Sequence, residues 1–121
     1  MLECIAVGAG GFIGAVCRYL IGQIPLAENC PFPLKTFFIN ILGSFVIGII
    51  TAYALKNHSL NPRTVLFLKA GICGGFTTFS SFALETGGLL KNGDIGIGLL
   101  YAVLSVTVGV LAAVAGEMIV H

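Results

Sequence analysis

Gly71–Glu85 reads GICGGFTTFSSFALE, and it places paired glycines, four hydroxyls and three phenylalanines in the middle of an apolar run. In hydrocarbon a freed backbone amide or carbonyl costs several kcal/mol unless protein, water or an ion satisfies it, so helices interrupted at membrane depth line cavities or ion sites. The segment is therefore expected to unwind a membrane helix around Gly74 and Gly75. Carbonyls released by Gly74, Gly75 and Thr77 would suit a hard cation.

The flanks support a membrane setting. Thr64 to about Leu90 carries only Lys69 and Glu85, and Cys4 to about Ala27 is interrupted only by Arg18. Thr36–Leu55 and Ile95–Gly116 hold no charge at all, and a run of about 20 such residues crosses roughly 30 Å of hydrocarbon. With 57% hydrophobic residues, 9% charged residues and 17 glycines in 121, and a mean hydropathy of +1.04, a soluble domain is excluded. The expectation is one all-α transmembrane domain over residues 1–121, with spans at about 4–27, 34–56, 64–90 and 95–119 and the third helix broken.

Turn residues divide the chain at the same places: Pro25, Asn29, Pro31 and Pro33, then Asn57, Ser59, Asn61 and Pro62, then Asn92, Gly93 and Asp94. The opening lacks the basic stretch of a secretory signal, so the first span is expected to stay uncleaved. Cys4, Cys17, Cys30 and Cys73 show neither CxxC spacing nor a nearby histidine and are read as small apolar filler, with Cys30 the accessible thiol. Lys56, Arg63 and Lys69 fall on the side of the termini, and Arg18, Lys35 and Lys91 on the other. The positive-inside rule then favours neither orientation, which makes an antiparallel homodimer of oppositely inserted copies plausible beside a single orientation set by other effects.

Ile5–Ala15, IAVGAGGFIGA, imitates a dinucleotide-binding glycine pattern at Gly8, Gly11 and Gly14. No acidic residue lies about 20 positions beyond Gly14 to hold a ribose, and Gly10 with Gly14 is better read as a GxxxG contact between membrane helices. Gly43, Ser44 and Gly48 share a face with Asn40, and Ser105, Gly109, Ala112 and Gly116 stripe the last span, again for close packing. Asn40 in a span needs a partner; its donors suit either an anion or an interhelical hydrogen bond. Arg18 near the end of the first span either snorkels or makes a cavity mouth electropositive. Phe79 and Phe82 fall on one helical face, where they are either core or, through their positive ring edges, a path for a small anion. Ser80 and Ser81 add hydroxyl donors beside them.

GGFIGAVCRY (Gly10–Tyr19), TFFINILGSFVIG (Thr36–Gly48), GICGGFTTFSSFALE, Tyr101 and Ser105 occur in this order across almost the whole chain. In that order and spacing they resemble the fluoride channels of the CrcB/Fluc type. The resemblance implies a dual-topology homodimer in a microbial cytoplasmic membrane, with two antiparallel pores passing fluoride down its gradient. It further implies that carbonyls of Gly74 and Thr77 from both copies hold one structural sodium ion. Asn40, Phe79, Phe82, Ser80, Ser81, Tyr101 and Ser105 would lie along the fluoride path, with Arg18 at the vestibule. The chain departs from the commoner pattern at Ser81, which keeps a hydroxyl, and at Ala83, which does not. Glu85 matches an acidic position.

Neutral amides, hydroxyls and ring edges can replace the water around fluoride without trapping it. A small proton-coupled multidrug exporter shares the expected outline but needs a titratable carboxylate in the membrane, for which only Glu3 and Glu85 are available. A noncatalytic scaffold would leave the TTFSSF hydroxyls and ring pair unexplained. No nucleophile, base and oxyanion-donor set can be assembled, so an enzyme is not expected, nor a nucleic-acid partner.

Overall fold

The computed structural model describes residues 1–26 and 28–120. It is all-helical: α1 (Leu2–Gly22), α2 (Leu34–Lys56), a third crossing in pieces, and α6 (Ile95–Ile119). The third crossing consists of α3 (Pro62–Leu66), a π-helical segment (Phe67–Cys73), α4 (Gly74–Phe76) and α5 (Phe79–Lys91). Among the described residues four helical stretches of 21, 23, 30 and 25 residues are long and apolar enough to span a membrane. The protein is a multi-pass membrane protein. α1 stops at Gly22, short of the expected limit near 27; position 27 itself lies outside the described residues.

Local chemistry sets the boundaries. Asn61 caps α3 by accepting the Arg63 N–H at 2.9 Å, and Pro62 takes the first helical position, where its missing donor costs nothing. α5 closes on Gly93, whose φ of 87° a side chain would oppose. Gly93 N–H reaches Leu90 O and Asp94 N–H reaches Leu89 O at 2.8 Å, the paired bonds of a Schellman turn.

Two helix pairings build the bundle: α1 lies along the π segment and α4, and α2 lies along α6, against which α5 also packs. Both pairings depend on glycine. A Cβ on Gly10 would come 2.8 Å from Gly71 Cα, one on Gly14 would strike Ile72 O, and one on Gly75 would lie 2.9 Å from Gly11 Cα. The GxxxG reading of the first span therefore holds. On the other pairing, Gly48 meets the backbone of Ala113, and a Cβ on Gly116 would sit 3.0 Å from Ile49 N. The small-residue stripes foreseen on these spans are the contact surfaces.

The interruption lies later than the double glycine suggested. Gly74 and Gly75 remain helical, and the chain extends at Thr77 (ψ 157°) and Thr78 (φ −148°, ψ 116°). The reason is packing: Gly75 is occupied by its contact with Gly11, so glycine here serves close approach and not unwinding. Upstream, the π segment carries the Gly74 N–H to Lys69 O, five residues back, a feature without a signal in the sequence.

Candidate functional site

The interruption is held open by side chains that take the place of helix donors and acceptors. In an unbroken helix the Thr78 N–H would reach the Gly74 carbonyl. It donates instead to Asn40 Oδ1 at 2.8 Å, while Asn40 Nδ2 donates to the Thr78 carbonyl at 3.1 Å. The carboxamide thus pairs with the backbone N–H and C=O of one residue, which is the interhelical role open to it from sequence. One Nδ2 hydrogen remains. The Ser81 N–H, which would reach Thr77, donates to Thr78 Oγ1 at 3.1 Å and so caps α5. The Gly75 carbonyl accepts Arg18 Nε at 3.1 Å. Of the three carbonyls expected to be free, Gly74 and Thr77 lose their helical donors and Gly75 is taken by Arg18.

Two cavities share Thr78 in their walls. An open groove of about 340 Å³ is lined by Asn40, Gly74, Thr77, Thr78, Phe79, Phe82 and Ser105, among others. A second cavity of about 300 Å³ has Arg18, Lys35, Thr36, Ser81 and Glu85 in its wall. Thr78 borders both. The groove therefore carries aromatic and neutral polar groups, and the second cavity carries the charged ones.

Within the groove the Phe79 and Phe82 ring centroids are 5.7 Å apart at 50°. Phe79 is 78% exposed in the single chain, so it is not core. Phe82 leans on Tyr101, centroids 5.1 Å apart, and Tyr101 packs edge-on to Phe32 at 5.3 Å. Ser105 Oγ is buried and finds no hydrogen-bond partner among the described residues, an arrangement that costs about 1–3 kcal/mol unless a ligand or water supplies one. Ser80 is exposed with its Oγ 3.3 Å from Thr78 Oγ1, while Ser81 is half-buried and faces the second cavity.

Tyr101 occupies a different place from a simple hydroxyl track. It is fully buried and its hydroxyl donates to Glu85 Oε1 at 2.9 Å; Thr36 Oγ1 donates to Glu85 Oε2 at 2.8 Å. Its ring supports Phe82 while its hydroxyl fixes Glu85 at the wall of the second cavity. Thr36 was missed as a partner, because no spacing rule connects residues 49 apart on different helices.

The comparisons with known proteins bear on this geometry. A family model described as "CrcB-like protein, Camphor Resistance (CrcB)" matches residues 5–117. The chain belongs to the CrcB family. Relatives within reach of this assignment include a protein of Chlorobaculum tepidum, 42% identical over 98% of this chain and 94% of its own length. One of Ruminiclostridium cellulolyticum is 43% identical over 98% and 92%, and one of Rhizobium meliloti 42% identical over 96% and 94%. Each of the three bears the name "Fluoride-specific ion channel FluC". In this chain the interrupted helix, the ring pair and the reciprocal Asn40–Thr78 contact come together on one groove.

Proposed function

We propose that this protein is a fluoride-selective channel that lets the ion leave the cell passively down its gradient. The observation that carries the reading is the groove at the interrupted third crossing, where Phe79, Phe82, Asn40 and the unpartnered Ser105 hydroxyl converge with no cationic side chain among the described residues that line it. Fluoride must exchange tightly held water for protein donors, and a fixed ammonium or guanidinium in the narrow part would hold it too well. Ring edges, the remaining Asn40 Nδ2 hydrogen and hydroxyl groups offer weaker, serial sites. Arg18 and Lys35, at the second cavity, raise the local anion concentration from a distance. Ser80 and Ser81 bridge the two sides in this reading, and Tyr101 holds Phe82 and Glu85 in place.

The working unit is an antiparallel homodimer with both orientations in the membrane. Three basic residues on each side of the membrane leave insertion without a bias, and the largely exposed Phe79 beside an open groove needs a cover. A structural sodium ion belongs to the same reading. The Gly74 and Thr77 carbonyls have lost their helical donors to Asn40 and Thr78, which fits hard-cation coordination by unwound backbone. Two oxygens are too few for such an ion, so a second copy would contribute its own pair. When bound, sodium would supply fixed positive charge and tie the two interruptions together.

The exporter alternative gains nothing here, since both Glu85 oxygens already accept hydrogen bonds. Purified protein in liposomes, with voltage clamped by a potassium gradient and ionophore, is expected to release fluoride and hardly any chloride. Absence of fluoride flux from folded protein refutes the channel. Exchange of sodium for a large organic cation is expected to weaken the dimer or its flux, and indifference to that exchange removes the sodium.

A further inference from the structure

As positive charge at a cavity mouth, Arg18 would need no particular hydrogen bond. Its Nε–H nevertheless points into the backbone of the third crossing, donating to the Gly75 carbonyl at 3.1 Å from 57 residues away. The last turn before the interruption ends in carbonyls that an unbroken helix would satisfy from Thr78 onward. Their fates differ: Gly74 and Thr77 border the groove, whereas Gly75 borders neither cavity and is held from the side of α1. Gly75 also touches Gly11, so α1 grips this residue twice, through backbone contact and through the guanidinium.

We infer that Arg18 is a positioning residue that sorts the carbonyls at the break. By claiming Gly75 it fixes the peptide plane between Gly75 and Phe76, and the chain beyond must turn out at Thr77. The Gly74 and Thr77 oxygens are then left on the groove side. The guanidinium suits the task twice over. It sits at a helix end where partial negative charge favours a cation, and its Nε–H lies in a rigid plane that a lysine ammonium cannot imitate. Charge alone does not reproduce the effect. The sodium arm of the test rests on the proposed cation site; the backbone arm does not.

Amide hydrogen exchange of residues 77–81 in lipid discs, read for the full protein, Arg18→Lys and Arg18→Gln in sodium and in N-methylglucamine buffers, separates the two. Arg18→Lys keeps the charge and is expected to speed exchange at Thr78 and Ser81 at least tenfold in both buffers. It is also expected to raise the sodium concentration giving half-maximal protection about tenfold. A lysine variant that exchanges like the unmodified protein overturns the inference. If the unmodified protein exchanges equally in both buffers while the lysine variant is faster, the sodium reading fails and Arg18 keeps its role. Where neither variant folds, the unmodified protein decides. It has two arginines, Arg18 and Arg63, and in arginine-labelled protein the Arg18 Nε–H is expected to exchange with water at least tenfold more slowly than that of Arg63. Equal rates overturn the inference.

Discussion

Asn40→Leu keeps most of the side-chain volume and removes both contacts with the Thr78 backbone, which are 2.8 and 3.1 Å long. Stranding a buried backbone donor and acceptor costs about 1–3 kcal/mol each. Thr78 borders both cavities, so water can partly replace the lost partner and the lower end of that range applies. The expected loss is about 2 kcal/mol, a roughly 30-fold fall in the folded-to-unfolded ratio. Reversible unfolding in mixed micelles, followed by far-ultraviolet circular dichroism, reads this directly, and fluoride efflux from liposomes reads the consequence for conduction. Asn40→Asp sharpens the test: it keeps an acceptor for the Thr78 N–H but loses the donor that satisfies the Thr78 carbonyl. It should also be destabilised. If Asn40→Leu unfolds within about 0.5 kcal/mol of the unmodified protein while flux is lost, Asn40 serves the ion alone and the account of the break given above is wrong.

Phe79→Ile should slow fluoride flux with little change in the stability of the single chain, because that ring is largely exposed. Phe82→Ile should slow flux and also cost about 0.5–1.5 kcal/mol in aromatic contact with Tyr101; aggregation of both variants would mean that the rings are core. Gly14→Ala places a Cβ on the Ile72 carbonyl and 2.8 Å from Phe76 N, backbone atoms that cannot swing aside. A penalty of at least about 3 kcal/mol is expected, seen as loss of monodisperse protein on size exclusion. Tyr101→Phe removes one of two donors to Glu85 and should lower stability by about 1–3 kcal/mol. Unchanged stability with abolished flux would show that the hydroxyl serves fluoride.

How far the sequence reveals this molecule depends on the kind of signal. Charge-free runs such as Thr36–Leu55 disclose a crossing because hydrocarbon imposes a length and a composition, and Gly10 with Gly14 discloses a contact because only glycine permits it. The interruption itself was legible but its position was not. Gly74 and Gly75 look like the weak point, yet the break falls at Thr77 and Thr78, where a hydroxyl and a carboxamide from another helix intercept the donors. Propensity is local, whereas Asn40 acts from 38 residues away. The same limit hides Glu85, whose partners Thr36 and Tyr101 become neighbours only once α2, α5 and α6 pack. Arg18 could be read as charge from sequence, but the carbonyl it holds could not.

The π segment at Phe67–Cys73 has a consequence for how this chain tolerates change. A turn of that kind houses one residue more than an α turn, and one residue is worth about 100° of rotation and 1.5 Å of rise in an α-helix. Rewinding the segment to ordinary α pitch with no residue lost would swing Phe79 and Phe82 by roughly a quarter of a circle, leaving every motif letter in place. The wide turn between Arg63 and Gly74 acts as a phase setting, so a substitution there that favours ordinary α winding would turn the downstream aromatic residues away from the groove without touching them.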